Sequence, residues 1–217
     1  MATPIGNLED ITLRALKVLK EVQLVAAEDT RHTGLLLKHY GISTPLSSFY
    51  SYNQKDKAPE LIRRIQDGID VALVSDAGTP GISDPAVALV SQAVEAGIKV
   101  VPIPGPTALI SALIASGLDT SQFVFTGFLP VKSGRRTKVL EQLERETRTI
   151  VIYESPHRIS RTLQELADVF KSRPAALCRE ITKLFEEFER GTLPELSEKY
   201  RTKKPKGEFV IVIAGKE

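Results

Sequence analysis

Glu28 and Asp29 stand side by side behind a short apolar run and are followed at once by Thr30, Arg31 and His32, so carboxylates, a guanidinium and an imidazole crowd into one turn. That mixture suits proton transfer, because a carboxylate or imidazole within hydrogen-bond reach of a hydroxyl can take its proton as a new bond to the oxygen forms. Asp29 and His32, with Asp76 from a second turn, are the candidate general bases. Each also has a structural reading: Asp29 as the cap of the following helix, His32 as a solvated side chain.

Asp76 lies in Ser75-Asp76-Ala77-Gly78-Thr79-Pro80-Gly81, directly after the apolar run Val71 to Val74. Glycines there let the backbone approach a ligand and expose its amides. The plain alternative is a connecting turn, with Asp84 capping a helix at Pro85. Two similar corners are Thr3-Pro4-Ile5-Gly6-Asn7 and Pro104-Gly105-Pro106-Thr107-Ala108, where Thr107 either caps a helix or touches a ligand. None has the spacing of the GxGxxG dinucleotide fingerprint or the GxxxxGK[ST] phosphate loop, which disfavours a nucleoside triphosphate. Converging on one sheet edge, the corners would suit an extended small cofactor.

The later half offers Gly127-Phe128-Leu129-Pro130, Tyr153-Glu154-Ser155-Pro156-His157-Arg158 and Cys178-Arg179-Glu180-Ile181-Thr182-Lys183. Ser155 as a cap and Arg158 in a surface ion pair are the structural readings. His32, His39 and His157 lack ligand spacing, so no metal site is expected. Cys178, the single cysteine, excludes an internal disulfide and reads as a small buried thiol.

These corners need a scaffold, and the chain is rich enough in apolar residues, at 42%, to build one. Short Val- and Ile-rich runs at 24–27, 71–74, 99–103, 123–126, 149–153, 175–178 and 209–214 read as strands. Amphipathic stretches at 8–22, 59–67, 85–96, 133–145 and 156–170 read as helices, giving an α/β pattern. The almost wholly apolar 110–117 reads as a buried helix at the junction of two domains, residues 1–117 and 118–217. Strands followed by helices imply a parallel sheet in the first domain; the order of elements after residue 186 implies a mixed sheet in the second. No apolar run approaches the roughly 20 residues needed to cross a bilayer, so a cytoplasmic protein is expected.

Lys and Arg, 29 together, nearly balance 27 Asp and Glu, so a nucleic acid would have to be held by a local patch. Lys132, Arg135, Arg136 and Lys138, then Arg201, Lys203, Lys204 and Lys206, are phosphate-seeking charges or an ordinary solvated face. Phe49, Tyr50 and Tyr52 could stack on unpaired bases or belong to an edge strand.

Taken in order, Thr-Pro-Ile-Gly-Asn-Leu-Glu-Asp-Ile, Ala-Glu-Asp-Thr-Arg, Ser-Asp-Ala-Gly-Thr-Pro, Pro-Gly-Pro, Gly-Phe-Leu-Pro, Tyr-Glu-Ser-Pro-His-Arg, Arg-Glu-Ile-Thr-Lys and Lys-Gly-Glu resemble the small-subunit ribosomal RNA methyltransferases of the tetrapyrrole-methylase superfamily. The resemblance runs from Ala2 to the last strand. It implies two α/β domains with S-adenosyl-L-methionine in the cleft between them, and usually a homodimer. It also implies 2'-O-methylation of a cytidine ribose in the decoding region of 16S ribosomal RNA, on the RNA or the assembled small subunit.

By motif, the cofactor residues would be Ile5, Gly6, Ser75, Asp76, Ala77, Gly78, Thr79, Thr107, Ala108, Glu154 and Lys183, with Arg31, Lys132, Arg135, Arg136, Lys138 and Arg158 on the RNA side. The resemblance designates no base. Only Met1 and Ala2 precede the first corner, where a parallel sheet wants a strand of about five residues, and the small helical domain of relatives is not found after Glu217. A trimmed start is therefore expected. Rival readings are a methyltransferase for a small tetrapyrrole-like acceptor and a non-catalytic RNA-binding or ribosome-assembly factor.

Overall fold

Local signals set the helix starts. Thr12 Oγ1 accepts the Ala15 amide at 3.1 Å and opens helix α1 (Leu13–Glu21), whose Ala15 and Leu19, one turn apart, are fully buried. Asp29 does the same for α2 (Thr30–His39), which turns Thr33, Leu36 and Leu37 inward. Further helices are α3 (Gln54–Gln66), α4 (Ala86–Glu95), α5 (Ala108–Ala115), α6 (Ser133–Glu144), α7 (Ile159–Phe170) and α8 (Leu193–Tyr200). In α7 the residues Ile159, Thr162, Leu163, Leu166 and Phe170 repeat at helical spacing and are all buried. The structure, a computed structural model, describes residues 1–84, 86–203 and 205–216. Pro85, expected at a helix start, and Lys204, of the basic stretch, lie outside the described residues.

The chain divides into two compact units, Met1–Thr107 and Ala108–Glu217. In the first, strands β1 (Leu24–Ala27), β2 (Leu46–Ser48) and β3 (Val71–Val74) form a parallel sheet in the order β2-β1-β3. Every residue of β1 is buried, as a central parallel strand covered on both faces requires. In the second, β4 (Phe123–Phe128), β5 (Thr149–Glu154), β6 (Pro174–Arg179), β7 (Glu187–Thr192) and β8 (Phe209–Ile213) form a five-stranded sheet in the order β4-β5-β8-β6-β7. Only β4 and β5 run parallel, so the expected mixed sheet is present. Its core joins β5 and β8 to α7 and α8, including Leu163, Leu166, Tyr200 and Ile211.

Three expectations change. Residues 99–103 form no strand: Ala2 donates one bond to the Ile103 carbonyl, and Val100 and Val101 stay exposed. β-Branched composition favours extended backbone, but a ladder needs a paired neighbour, and among the described residues no strand of the β2-β1-β3 sheet pairs with 99–103. The division falls after Thr107 rather than Gly117, because the apolar helix α5 packs on β8 and β5 of the second unit. Finally, β4 continues to Phe128 through a register shift at Gly127, whose φ of 65° is open to glycine.

Candidate active site

β1 and β3 are neighbours in parallel register, with Ala27 opposite Val74, so the turns that follow them emerge side by side. They are stitched reciprocally. The Asp29 amide donates to Asp76 Oδ1 at 2.9 Å, and the Asp76 amide donates to Glu28 Oε2 at 3.4 Å. The other corners of the first unit join them. Thr3 and Gly78 form a two-bond antiparallel bridge, Thr3 Oγ1 donates to the Ser75 carbonyl at 3.2 Å, and Thr79 Oγ1 donates to the Pro106 carbonyl at 3.2 Å.

Gly78 has φ 78°, and a Cβ there would sit 3.2 Å from Ile5 Cγ2, so glycine allows both the turn and the close approach. Ile5, Ser75, Gly78 and Thr79, with Pro106 beside Thr107, therefore gather at one end of the parallel sheet. Gly6 and Ala77 lie exposed on its rim, and Ala108 begins α5 of the second unit.

The carboxylates here are not equivalent. Asp29 caps α2 and takes a two-pronged grip from Arg31, Nε on Oδ1 at 3.1 Å and NH2 on Oδ2 at 2.6 Å. The Arg31 side chain and amide hold the Asp29 carboxyl far below the usual carboxylate range. Both oxygens of Asp29 are thus already engaged, as helix cap and as partner of Arg31. His32 is exposed on the first turn of α2, pointing to a solvated ring rather than a partnered base.

Asp84 accepts the amides of Gly81 and Ala86, so it closes the turn ahead of α4. Glu28, which residue types alone did not set apart, differs: burial, and then the charges of Asp76 and Asp84, raise its pKa against the opposing Asp76 amide bond. Among the described residues no cation pairs with it. It lines a shallow groove of about 450 Å³ with Ser51, Gln54, Gly81, Ser83 and Asp84. Phe49 is buried, whereas Tyr50 and Tyr52 are exposed nearby in sequence and meet edge to face.

In the second unit several expected site residues turn inward. Glu154 is buried: Oε1 accepts the Ser155 amide at 2.8 Å and Oε2 the Thr162 hydroxyl at 2.6 Å. Its carboxylate is spent there, and only its main chain is left to offer a ligand. Arg136, expected on the RNA face, is 4% exposed and bonds Glu165 at 2.5 Å and Thr162 at 2.7 Å. Arg158 lies 3.4 Å from Glu154 and donates to the Leu129 carbonyl at 2.7 Å. Both are internal ties, because a guanidinium with several buried acceptors within reach is better satisfied there than in solvent.

Ser155 caps nothing with its side chain; its carbonyl receives the Arg158 and Ile159 amides. Lys183 bonds Glu180 at 2.9 Å and Glu208 at 2.8 Å; burial opposes its charge, but those bonds outweigh burial and raise its pKa. Lys132, Arg135 and Lys138 are exposed on and just before α6, and Arg31 is exposed on α2. Among the described residues no cluster of potential metal ligands occurs, and no helix is long and apolar enough to cross a membrane.

A parallel sheet with glycine corners at its carboxyl end in one unit, and a mixed five-stranded sheet in the other, are the architecture of a known class of methylases. The profile of the Tetrapyrrole (Corrin/Porphyrin) Methylases matches residues 2–197. A cobalt precorrin-4 methyltransferase of cobalamin biosynthesis superposes with a TM-score of 0.72 at 18% identity, over 99% of this chain and 92% of that one. A Thermus thermophilus uroporphyrin-III C-methyltransferase in complex with S-adenosyl homocysteine superposes with a TM-score of 0.67 at 20% identity, over 98% and 94%.

The chain belongs to the tetrapyrrole methylase family. Within it, the chain is 52% identical to Ribosomal RNA small subunit methyltransferase I of Synechocystis, over 99% of this chain and 77% of that protein. It is 48% identical to the protein of the same name from Thermotoga maritima, over 100% and 97%.

Proposed function

We propose that this chain is an S-adenosylmethionine-dependent methyltransferase that modifies the 2'-oxygen of a cytidine ribose in the decoding region of 16S ribosomal RNA. The observation that carries the reading is the set of knitted corners at the end of the parallel sheet, in a chain half identical to proteins named for small-subunit ribosomal RNA methylation. S-adenosylmethionine, when bound, supplies an electrophilic methyl group on a positively charged sulfonium. The donor set fits it: Ile5 offers an apolar wall, the corners offer main-chain polar groups, and Glu28, Asp76 and Asp84 give the surroundings a negative charge that favours a cation.

Ile5, Gly6, Ser75, Asp76, Ala77, Gly78, Thr79 and Thr107 of the first unit hold the cofactor. Direct methyl transfer needs the acceptor oxygen held in line and a group to receive its proton. Glu28 receives it, because its raised pKa makes it a stronger base than an ordinary glutamate. Asp76 positions the turn that carries Glu28 through their hydrogen bond.

Arg31, Lys132, Arg135 and Lys138 bind RNA phosphates without reading bases. The enzyme works in the cytoplasm as a homodimer. The stripe Val87, Val90 and Val94 on α4, 58%, 38% and 63% exposed, favours self-association, which sedimentation measures directly.

The decisive assay supplies labelled S-adenosylmethionine with unmethylated small subunits or naked 16S RNA, followed by nucleoside analysis. Label in 2'-O-methylcytidine is expected. Label only in an added tetrapyrrole precursor, or tight RNA binding without transfer, would replace this reading with one of its two rivals.

A further inference from the structure

Charges are expensive to bury, and a buried ion pair seldom stabilises a fold more than a well-packed apolar group would. The second unit nevertheless buries a connected set. Arg136, its side chain 5% exposed, binds Glu165 and the Thr162 hydroxyl and lies 3.9 Å from Glu154, whose side chain is fully buried. The Thr162 hydroxyl in turn donates a hydrogen bond to Glu154, and Arg158 flanks the same carboxylate at 3.4 Å. Two bonds that leave this network are directed at one place. Arg158 NH2 donates to the Leu129 carbonyl at 2.7 Å, and Arg136 NH1 reaches the Pro130 carbonyl at 3.4 Å. Two adjacent carbonyls of a single loop are thus held by two guanidinium groups, themselves fixed by carboxylates on β5 and α7.

The held loop follows the Gly127 bulge of β4 and leads into α6. Leu129 is its buried anchor, 2% exposed, while Phe128 and Val131 on either side are 51% and 79% exposed. Phe128 is braced by an edge-to-face contact with Tyr153, centroids 5.8 Å apart, so its ring is oriented yet open. Lys132, Arg135 and Lys138 are exposed immediately beyond. An oriented aromatic ring bordered by cations is what an unpaired nucleotide requires, its base stacking on the ring and its phosphates meeting the charges.

We infer that the segment Gly127–Lys132, the end of β4 and the loop after it, is a contact surface for unpaired RNA, with Phe128 as the stacking platform, and that Arg136 and Arg158 are positioning residues that hold it in its binding conformation. This rests on the reading that the acceptor is RNA. The network spends buried charge on one loop because its conformation, rather than added stability, is what binding uses.

The test uses the full chain with small subunits and, separately, with an unpaired cytidine-containing oligonucleotide in a filter-binding assay. Phe128 is a surface residue, so Phe128→Ala leaves the fold and S-adenosylmethionine affinity unchanged. It weakens oligonucleotide binding and kcat/KM for subunits roughly five- to hundred-fold, the range of one lost base–aromatic stack. Phe128→Tyr restores both and Phe128→Leu does not, since apolar bulk alone is not a stacking face. Arg158→Lys keeps the charge but loses the fork; it raises KM for subunits, leaves kcat near its normal value and speeds hydrogen exchange at 128–132. Normal binding by Phe128→Ala, equal rescue by Leu, or normal KM in Arg158→Lys would overturn the inference. Should the wild-type protein bind the oligonucleotide yet transfer no methyl group, the ribosomal RNA reading fails while the oligonucleotide arm still judges the loop.

Discussion

Replacing Arg136 by Met removes the cation from the centre of the second unit while nearly preserving side-chain volume. Glu154 would keep its Ser155 amide and Thr162 hydroxyl but lose one of its two neighbouring guanidinium groups. Glu165, 26% exposed, would retain Arg161 at 2.8 Å and can reach water, so most of the cost falls on Glu154, with no exposure at all. Breaking a buried pair from one side costs about 3–5 kcal/mol. For a chain of this size that is roughly 6–20 °C in Tm, at about 2–4 °C per kcal/mol.

Urea unfolding gives the free energy, and hydrogen exchange across Thr149–Glu154 assigns the loss to the second unit. Adding Glu154→Gln to Arg136→Met should recover at least about 1 kcal/mol, because the second substitution removes the charge that the first stranded. A loss under about 1 kcal/mol with no such recovery would refute the burial argument. Arg136 would then be an ordinary surface cation, free for RNA.

Glu28→Gln should lower single-turnover methyl transfer by orders of magnitude yet make the protein more stable at pH 7. A raised carboxyl pKa means that the fold disfavours the ionised form, so wild-type stability falls as pH climbs from the ordinary 4.5 through the raised value. The Gln variant escapes that fall, and melts at pH 4 and 7 should converge at the lower pH. Asp29→Asn should transfer methyl at a near-normal rate, since Asn caps helices as well as Asp and the lost carboxylate was already occupied by Arg31. Gly78→Ala should cost about 1–2 kcal/mol for placing an L-residue at φ 78°, and should weaken S-adenosylmethionine binding measured by calorimetry as Ile5 is pushed aside. The Cys178 thiol, pushed up to about 12 by burial, should react with a thiol reagent at pH 8 only after denaturation.

What the sequence disclosed and what it hid divide along physical lines. Strands such as Leu24–Ala27 and Phe209–Ile213 were legible because a strand buried on both faces must be a continuous apolar run. The Ser75–Gly81 corner was legible because a turn with positive φ selects glycine at Gly78. Residues 99–103 read the same way and are not a strand, since composition reports a preference for extended backbone while pairing depends on which neighbour is present. The helix at 108–115 was visible as apolar, but its ownership was set by contact with β8, about a hundred residues onward.

Charged residues were read least well. Arg136 and Arg158 sit at helix starts among basic residues, where exposure is the usual expectation. Their acceptors Thr162, Glu165 and Leu129 lie 26 to 29 positions away, a separation that no local pattern reports. Asp29 and Glu28 present the converse case, neighbours of one chemical type that folding makes opposite. Arg31 reaches back two residues to the first, while β3 delivers Asp76 from 48 positions away to the second. The different surroundings of the two carboxylates are thus set by Arg31 and by the pairing of β1 with β3, and residue type alone could narrow the choice of base only to the turn.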